Sequence, residues 1–265
     1  MMNIRAFEHY MSIDSERYSE PSLEALNDYA TRFMYTVPFE NINVQNGIPI
    51  SVDINDLYHK IVDNHRGGFC YELNTLFQAY LKAKGFDAQM MSATVHTANG
   101  GHRLEGSHVS LVVPLQGTYY VTDVGFGDLP LHAMPITLEQ DSQPVQDISG
   151  TFRAIFENEN KTRFFVQKWE SDTWKTKYDA ILKASSIDAF KDKINYNETH
   201  PDSIFVQNLL ITQPKSYGRV TMSQQHLTVT KQNKKVQYDV TPQNYRQLLQ
   251  DYFNLNVTID RLELS

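Results

Sequence analysis

RGGFCYELN, residues 66 to 74, contains the only cysteine of this 265-residue chain. Apolar residues recur after Cys70 at steps of three and four residues: Leu73, Leu76, Phe77, Tyr80 and Leu81. This period predicts a helix that begins at Cys70 and ends near Gly85, because a left-handed residue often follows a helix. The sequence therefore predicts that the cysteine lies in the first turn of a helix.

The single thiol allows two interpretations. Free cysteine is among the most buried residue types, so Cys70 can be a small hydrophobic residue of the core. Alternatively, the dipoles at a helix N-terminus stabilise an anion, which makes a thiol at this position easier to ionise. Gly67 and Gly68 would let the backbone turn sharply and leave the sulfur open to approach. A structural cysteine needs neither feature, so the position favours a reactive thiol.

A base for this thiol is expected on a hairpin further along the chain. HVSLVVPLQGTYYVTD, residues 108 to 123, alternates like two strands joined by a turn at Gln116 and Gly117. In that register His108 and Asp123 are diagonal neighbours on one face, with Cβ atoms roughly 7–8 Å apart. A turn one residue longer would place them on opposite faces. The spacing predicts a Cys-His-Asp triad; a structural histidine and a turn-forming aspartate are the alternatives.

Composition restricts the possible functions. The net charge of −7 argues against a surface built for nucleic acid or anionic lipid. No run of apolar residues is long enough to span a membrane, and the first residues do not resemble a signal peptide, so a cytoplasmic location is expected. Without CxxC or HExxH, the nine histidines form no metal-binding pattern, and no metal is predicted. The sequence carries no information on the oligomeric state.

The periodicity of the chain changes twice. The first third is helical, as in SLEALNDYATRFMY with Ser22 as N-cap. From residue 86 the period becomes two, which predicts an antiparallel barrel or sandwich followed by the helix SSIDAFKDKIN. From about residue 198, IFVQNLLIT and later short segments predict strands. A closing helix is predicted with Thr241 as its cap and Pro242 in its first turn.

Several segments together resemble the arylamine N-acetyltransferase family. RGGFCYELN, SHVSLVV and VTDVGFG match the family signature in order and approximate spacing, and VPFENINVQNG, THPDSIFV and DVTPQNYRQLLQDYFNL also resemble family segments. The resemblance covers nearly the whole chain. It implies an α+β fold with a helical bundle at 1–86, a central antiparallel β-barrel with a connecting helix at 87–197, and an α/β lid at 198–265. The implied catalytic core is like that of cysteine proteases and transglutaminases.

The resemblance also implies roles for individual residues. Cys70 would be the acyl-accepting nucleophile, His108 its base and Asp123 the group that orients the imidazole. Arg66 and Glu40 would form a buried structural ion pair. The substrate pocket would be lined by aromatic and aliphatic side chains: Phe39, Tyr71, Val95, Phe126 and Phe205.

The reaction implied by the resemblance uses acetyl-CoA as cosubstrate and no metal. Arylamines, arylhydroxylamines or hydrazines, including foreign compounds, would accept the acetyl group in a ping-pong mechanism through an acetyl-cysteine. Gly125 and Gly127 in the turn VGFGDLP could offer backbone amides to the cofactor phosphates. The glycine-rich loop 96–107 does not match the family pattern well, and loop flexibility is as good an explanation of it as cofactor binding.

Three cations, Arg219, Lys231 and Lys235, could also help to bind the phosphates, although a solvated surface is their more ordinary role. Other functions stay open as well. The same triad could serve a thiol hydrolase, a transglutaminase-like enzyme or a macrocyclic amide synthase. In a non-catalytic scaffold, Cys70 would be an inert packing residue.

Overall fold

Helices make up most of the secondary structure in the first third of the chain. In the last third, helices precede and follow a run of four strands. The structure is a computed structural model that describes residues 2–232 and 234–263. Its helices are α1 Ile4–Tyr10, α2 Leu23–Thr36, α3 Ile42–Gln45, α4 Ile54–Tyr58, α5 Cys70–Ala83, α6 Lys191–Thr199, α7 Ile204–Gln207, α8 Tyr245–Phe253 and α9 Asp260–Glu263. A π-helical turn, His59–Asp63, continues α4. None of the helices in the described ranges is long and apolar enough to cross a membrane.

The strands form two sheets. They are β1 Phe39–Glu40, β2 Gln89–Val95, β3 His108–Leu115, β4 Thr118–Val121, β5 Met134–Thr137, β6 Val145–Asp147, β7 Gly150–Phe156, β8 Arg163–Glu170, β9 Thr173–Ser185, β10 Ile211–Lys215, β11 Gly218–Met222, β12 His226–Lys231 and β13 Lys234–Asp239. The larger sheet has the order β5-β4-β3-β2-β9-β8-β7-β6. The smaller sheet has the order β1-β10-β11-β12-β13.

The larger sheet closes into a barrel. Pairing of β5 with β7 joins its ends, and β6 extends from β7 outside the closed ring. The closing pair is parallel, whereas the other strand pairs of this sheet are antiparallel. Large apolar side chains, among them Phe152, Phe164 and Tyr178, fill the barrel core. The predicted α+β fold is confirmed, and the open choice between barrel and sandwich is resolved as a barrel.

The hairpin that carries His108 has the predicted register. Leu115 pairs with Thr118 across the two-residue turn. Gln116 and Gly117 have φ angles of 49° and 82°. Positive values at both positions are those of a type I′ turn, whose twist matches the twist of the flanking strands.

Strand β1 connects the first third of the chain to the last. Phe39 pairs antiparallel with Thr212 on β10 and also forms a parallel bridge with Gly68, close to Cys70. The smaller sheet therefore contains a segment from the helical part of the chain. The three-domain division at residues 86 and 197 stays a prediction.

One local prediction was wrong. IFVQNLLIT was predicted as a strand, but α7 occupies Ile204–Gln207 before β10 starts at Ile211. The Ser203 hydroxyl accepts a hydrogen bond from the Phe205 backbone and initiates a helical turn that short-range apolar composition does not reveal.

The closing helix begins later than predicted. Regular helix α8 starts at Tyr245, but Thr241 makes the predicted capping bonds: its hydroxyl accepts from the Asn244 N–H at 3.3 Å and its carbonyl accepts from the Tyr245 N–H at 3.0 Å. The Asn244 side chain accepts in return from the Thr241 N–H at 2.8 Å, which completes a reciprocal capping box. The cap of α2 is also as predicted, because Ser22 accepts from the Ala25 backbone.

Candidate active site

The thiol lies at the N-terminus of a helix, as predicted. Cys70 is the first residue of α5 and is 3% exposed. Backbone N–H groups in the first turn of a helix have no partners within the helix, so their dipoles point towards groups at this end. The preceding loop is fixed by hydrogen bonding, since the Glu40 N–H donates to the Gly68 carbonyl at 2.8 Å.

The two glycines before the thiol are required by close packing. A Cβ atom added at Gly67 would lie 2.1 Å from the Pro38 carbonyl oxygen, and one added at Gly68 would lie 2.8 Å from the Glu72 side chain. Such separations are far shorter than the contacts of real Cβ atoms. The glycines therefore let the loop pack tightly beneath the thiol, which is a different reason from the sharp turn expected from the sequence.

Charged side chains are buried beside this loop. Arg66 Nη2 lies 2.7 Å from Glu40 Oε1, and Lys60 Nζ lies 2.7 Å from Glu72 Oε1. Burial raises the pKa of Glu40, but Arg66 and Lys60 together outweigh it and lower that pKa. Burial dominates at Glu72 and raises its pKa. Glu72 Oε2 also accepts from the Phe69 N–H at 3.1 Å, which ties the charged cluster to the start of α5.

His108 and Asp123 are in direct contact. His108 Nε2 lies 2.6 Å from Asp123 Oδ2, and both residues are buried. A carboxylate can only accept a hydrogen bond, so Nε2 carries the proton. Nδ1 is then the ring nitrogen left available to Cys70, which lines the same cavity and contributes to raising the pKa of His108. The structure thus brings the three predicted residues together in the order thiol, imidazole, carboxylate.

The pKa values of this group are displaced in opposite directions. Burial lowers the pKa of His108, but the Asp123 charge and hydrogen bonds to Asp123 and Cys70 raise it to about 10. Burial raises the pKa of Asp123, and the adjacent imidazole with three hydrogen bonds lowers it overall. The pair is consequently an imidazolium and a carboxylate at neutral pH.

Asn74 is a site residue that the sequence left unexplained. Its Nδ2 donates to Asp123 Oδ1 and to the Val109 carbonyl, each at 2.8 Å, and its Oδ1 accepts from the Val124 N–H at 3.1 Å. It lies one turn after Cys70 on α5. Asn74 therefore connects the helix that carries the thiol to both strand ends that carry the histidine and the aspartate. Its position in RGGFCYELN, four residues after Cys70, was the sequence signal that could have identified it as a site residue.

Tyr178 on β9 is a second missed residue. Its hydroxyl lies 2.8 Å from Ser110 Oγ, and its ring centroid lies 5.2 Å from that of His108. Burial and the nearby Asp123 charge raise the pKa of Tyr178. Because it comes from a strand distant in sequence, no motif spacing could have indicated it.

A cavity of about 340 Å³ opens beside Cys70 and His108. Four of the predicted pocket residues line it: Phe39, Val95, Phe126 and Phe205. Phe39 and Phe205 lie with their ring centroids 6.1 Å apart. The cavity thus combines a reactive end with aromatic walls.

Tyr71 lies behind the cavity wall instead of lining it. It is fully buried, and its hydroxyl donates to the Ser107 carbonyl at 2.5 Å and accepts from Asn197 Nδ2 at 3.0 Å. Ser107 and Asn197 themselves line the cavity. The family resemblance implied Tyr71 as a pocket residue, but successive helix residues point in different directions, and its side chain enters the core.

Loop 96–107 borders the same cavity. His102, Arg103, Leu104 and Ser107 contribute to its wall. The first part of the loop is a tight turn, in which the Thr97 N–H donates to the Gly101 carbonyl at 2.8 Å. The loop is therefore part of the site, and its contact with a cofactor stays a prediction.

A second and larger cleft adjoins the cavity. Its volume is about 930 Å³, and Phe126 and Leu210 line both spaces. Gly127 lies in its wall, whereas Gly125 lines the smaller cavity and packs against Cys70 and Asn74.

The three candidate cations differ in their surroundings. Arg219 is only 14% exposed and donates to the Gly127 carbonyl and, at 3.2 Å, to Ser149 Oγ. It is therefore not the solvated surface cation expected from the sequence. Lys235 is exposed and lines the cleft, and Lys231 is exposed near the end of β12.

A thiol at a helix N-terminus, beside a hydrogen-bonded histidine-aspartate pair on a β-barrel, defines a cysteine-protease-like catalytic core. A family model described as N-acetyltransferase matches residues 22–262. The chain belongs to the arylamine N-acetyltransferase family and is an acetyltransferase with a Cys-His-Asp triad, which confirms the resemblance noted in the sequence.

Individual relatives agree with this assignment. An arylamine N-acetyltransferase of Mycobacterium tuberculosis is 30% identical over 217 residues, covering 80% of this chain and 75% of the relative. An arylamine N-acetyltransferase / N-hydroxyarylamine O-acetyltransferase of Salmonella typhimurium is 28% identical over 243 residues, covering 89% and 84%.

A solved structure shows the same fold. The arylamine N-acetyltransferase (BACCR)NAT3 of Bacillus cereus superposes with a TM-score of 0.86 at 27% identity, covering 97% of this chain and 100% of that one. That enzyme is described as having a unique Cys-His-Glu triad. In the present chain an aspartate, Asp123, is bonded to the histidine. Family membership supports N-acetylation of arylamines.

Proposed function

We propose that this protein transfers the acetyl group of acetyl-CoA to arylamines, arylhydroxylamines and hydrazines through an acetyl-cysteine on Cys70. The observation that carries the proposal is that Cys70, at the N-terminus of α5, lines one apolar cavity with His108, whose imidazole is hydrogen-bonded to Asp123. A nucleophile, a base and a group that orients the base are the parts that covalent acyl transfer requires.

In the first half-reaction, the Cys70 thiolate attacks the thioester carbonyl carbon. The carbon–sulfur bond to coenzyme A breaks, and His108 returns the proton to the departing coenzyme A thiolate. One thioester replaces another, so the acetyl group rests on Cys70 with little change in free energy. Asp123 remains ionised throughout and holds the imidazole ring through its Nε2–H.

In the second half-reaction, the amine nitrogen attacks the acetyl carbon of the acetyl-cysteine. His108 accepts the proton that the amine loses, and the Cys70 thiolate leaves. The stable amide product draws the reaction forward. The two half-reactions share one site and follow each other, so ping-pong kinetics are expected.

Charge on the carbonyl oxygen needs stabilisation in both half-reactions. The first-turn N–H groups of α5 supply a positive end of the helix dipole at the reacting carbon. The Tyr71 N–H is the candidate donor, since it follows Cys70 directly. Its role rests on its backbone, which is compatible with the burial of its side chain.

The aromatic walls of the cavity suit an aromatic acceptor. The rings of Phe39, Phe126 and Phe205 offer flat apolar surfaces, and aromatic pairs gain about 0.5–1.5 kcal/mol from offset or edge contacts. Foreign aromatic amines are therefore compatible acceptors. The apolar cavity adjoins the reactive thiol, so a bound ring would bring its amine nitrogen near the acetyl group.

The larger cleft suits the nucleotide part of acetyl-CoA. It adjoins the catalytic cavity at Phe126, and its lining includes the cations Lys168, Arg219 and Lys235, of which Lys168 is paired with Asp128 in the same lining. The Gly127 N–H lies in the turn that separates the two spaces, and backbone donors in turns often bind phosphates. Arg219 is already bonded to the Gly127 carbonyl, so its part is to hold this turn against the smaller sheet.

Intact-mass measurement after mixing with acetyl-CoA tests the proposal. We expect one acetyl group on Cys70, stable in buffer and lost on addition of an arylamine with formation of the N-acetylarylamine. Cys70→Ser should fold normally and acquire no acetyl group on this timescale. An unmodified wild-type protein would refute the proposal.

The same experiment separates the rival functions. A hydrolase would lose the acetyl group rapidly without an amine, and a transglutaminase-like enzyme would pass it to lysine side chains. A macrocyclic amide synthase would be indifferent to acetyl-CoA. A non-catalytic scaffold would leave the thiol unmodified by any acyl donor.

A further inference from the structure

Two histidines and an aspartate meet outside the catalytic triad, at the base of loop 96–107. His96, His102 and Asp179 each offer one ligand atom, and these atoms all lie within 4.8 Å of one another. His96 Nε2 lies 2.8 Å from Asp179 Oδ1, and the two imidazole centroids are 4.2 Å apart. We call these three residues the His-His-Asp cluster.

The backbone explains why the cluster forms. His96 follows β2 directly, and its N–H continues the pairing with β9 by donating to the Lys177 carbonyl at 2.9 Å. Asp179 lies two residues further along β9, so its side chain shares the sheet face with His96 as a diagonal neighbour. The tight turn of the loop then brings His102 opposite His96 in an antiparallel bridge. Two separate sequence segments thus converge, which is why no metal motif is visible in the sequence.

Arg163 holds the carboxylate of the cluster in place. Its Nη1 lies 2.6 Å from Asp179 Oδ2, so Oδ1 is left facing the histidines. Outer groups that bond to a ligating carboxylate commonly fix its orientation in metal sites. Asp179 is 6% exposed, His96 is partly exposed and His102 is exposed, so the cluster has a rigid inner ligand and an accessible outer one.

We propose that the His-His-Asp cluster binds a divalent transition-metal ion, with water completing the coordination. Two imidazoles and one carboxylate form a donor set that suits Zn²⁺, and such sites are commonly tetrahedral with metal–ligand distances of about 2.0–2.2 Å. Donor atoms around that ion are roughly 3.4 Å apart. The His96 Nε2–Asp179 Oδ1 hydrogen bond of 2.8 Å must open for an ion to take its place, and the adjacent Gly100 and Gly101 let the exposed His102 adjust its position.

Metal binding would fix one wall of the catalytic cavity. His102 and the next two residues, Arg103 and Leu104, line that cavity. An ion shared by His102 on the loop and Asp179 on β9 joins the loop to the barrel. The site would therefore restrict movement of the loop beside the thiol without any contact to Cys70.

Calorimetric titration of metal-free protein with ZnCl₂ tests the site. The titration uses the Cys70→Ala variant, because the catalytic thiol could otherwise bind the ion. We expect one Zn²⁺ per chain, and at least tenfold weaker binding after His102→Asn or His96→Asn. His102 is exposed, so its substitution should not disturb folding.

A histidine-aspartate pair on the smaller sheet provides the matched control. His226 Nδ1 lies 3.3 Å from Asp239 Oδ1 on the smaller sheet, and His226→Asn should leave Zn²⁺ affinity unchanged. Absence of binding, or equal binding by the His102→Asn and His226→Asn proteins, would overturn the proposal. The outcome is independent of acetyl transfer, since the protein used lacks the thiol.

Tryptic cleavage after Arg103 tests the effect on the loop. Arg103 is exposed, so we expect slow but measurable cleavage in metal-free protein. Zn²⁺ should slow it at least fivefold, and His102→Asn should abolish the protection. Cleavage that is unaffected by Zn²⁺ in a protein that binds the ion would disprove the restriction of the loop.

Discussion

Both carboxylate oxygens of Asp123 are occupied in the folded protein. Oδ2 bonds to His108, while Oδ1 accepts from Asn74 Nδ2 at 2.8 Å and from the Gly125 N–H at 3.0 Å. A carboxylate held by several donors cannot rotate freely. Asn74 therefore acts as a positioning residue, which works through the orientation of Asp123 and His108.

We expect Asn74→Ala to slow acetylation of Cys70 by about tenfold and to destabilise the fold by about 2 kcal/mol, because buried polar groups lose their partners. Gln78→Ala is the matched control. Gln78 is an amide on the same helix, and it donates to the Ala88 carbonyl at 2.9 Å. Single-turnover acetylation and urea unfolding measure both effects. Equal rates for the two variants would exclude a positioning role for Asn74.

His108 should make stability depend on alkaline pH. Its folded pKa of about 10 lies above the unfolded value of about 6.5, so its stabilisation is complete below pH ~6.5 and is lost as pH rises through ~10. The loss is at most about 1.4 kcal/mol per pH unit. Urea unfolding of wild type and His108→Gln from pH 6 to 10.5 measures it. The difference in unfolding free energy should shrink with rising pH; a constant difference would contradict the raised pKa.

Among the elements, the β3–β4 hairpin was the most predictable. Its two-residue turn fixes the register, and the register alone places His108 and Asp123 on one face. Helix α5 was predictable for a similar reason, because its apolar period is strong. Helix α7 was not, since Ile204–Gln207 is a single turn set by the Ser203 hydroxyl and the packing of the loop. Sequence periodicity needs several repeats before it can distinguish a helix from a strand.

The N-terminus of α5 depends on a buried cation. Lys60 lies 2.7 Å from Glu72 and 4.0 Å from Glu40. Lys60→Met should therefore destabilise the protein by about 3 kcal/mol, because it removes a positive charge that stabilises these buried carboxylates. The pKa of Glu72 is already raised in the wild-type protein. The loss of stability should therefore be larger at pH 8 than at pH 5, where protonation of Glu72 removes the unpaired buried charge. Denaturant unfolding at both values measures this.

Lys82→Met on the exposed end of α5 is the control for that experiment and should change stability by less than about 0.5 kcal/mol. Adding Glu72→Gln to Lys60→Met should restore part of the stability. A Lys60→Met protein as stable as Lys82→Met at both pH values would show that the buried charges are not coupled.

At the scale of the whole molecule, the sequence predicted the catalytic residues better than the residues that pack around them. The triad and most of the aromatic lining follow from motifs, because each motif is a local segment. Three features depend instead on which strands become neighbours in the sheets: Tyr178, the buried position of Arg219 and the His-His-Asp cluster. These residues lie on or beside β2, β9 and the smaller sheet, which are distant in sequence. Composition and motif spacing do not indicate which strands, far apart in the sequence, become neighbours in the fold.

The proposed division between catalytic cavity and nucleotide cleft predicts a selective effect of Lys235. We expect Lys235→Glu to raise the KM for acetyl-CoA about fivefold, because an exposed charge contact with phosphate contributes about 1 kcal/mol. The rate with p-nitrophenyl acetate, an acetyl donor without a nucleotide, should not change. Steady-state kinetics with both donors measure the difference.

Lys231→Glu is the control, because Lys231 is also exposed and has the same charge. It should leave both KM values within about twofold of wild type, since a single exposed charge outside a contact changes binding little. If the two variants weaken acetyl-CoA binding equally, overall charge and not the cleft accounts for the effect.

The double pairing of Phe39 with Gly68 and Thr212 has a consequence for synthesis of the protein. Chains leave the ribosome N-terminus first. The loop before Cys70 therefore emerges long before β10, which completes the sheet beside it. The thiol should remain without its finished surroundings until the last fifth of the chain has been translated. A nascent chain that stops before Ile211 would then carry Cys70, His108 and Asp123 without the strand that pairs with Phe39 and Glu40.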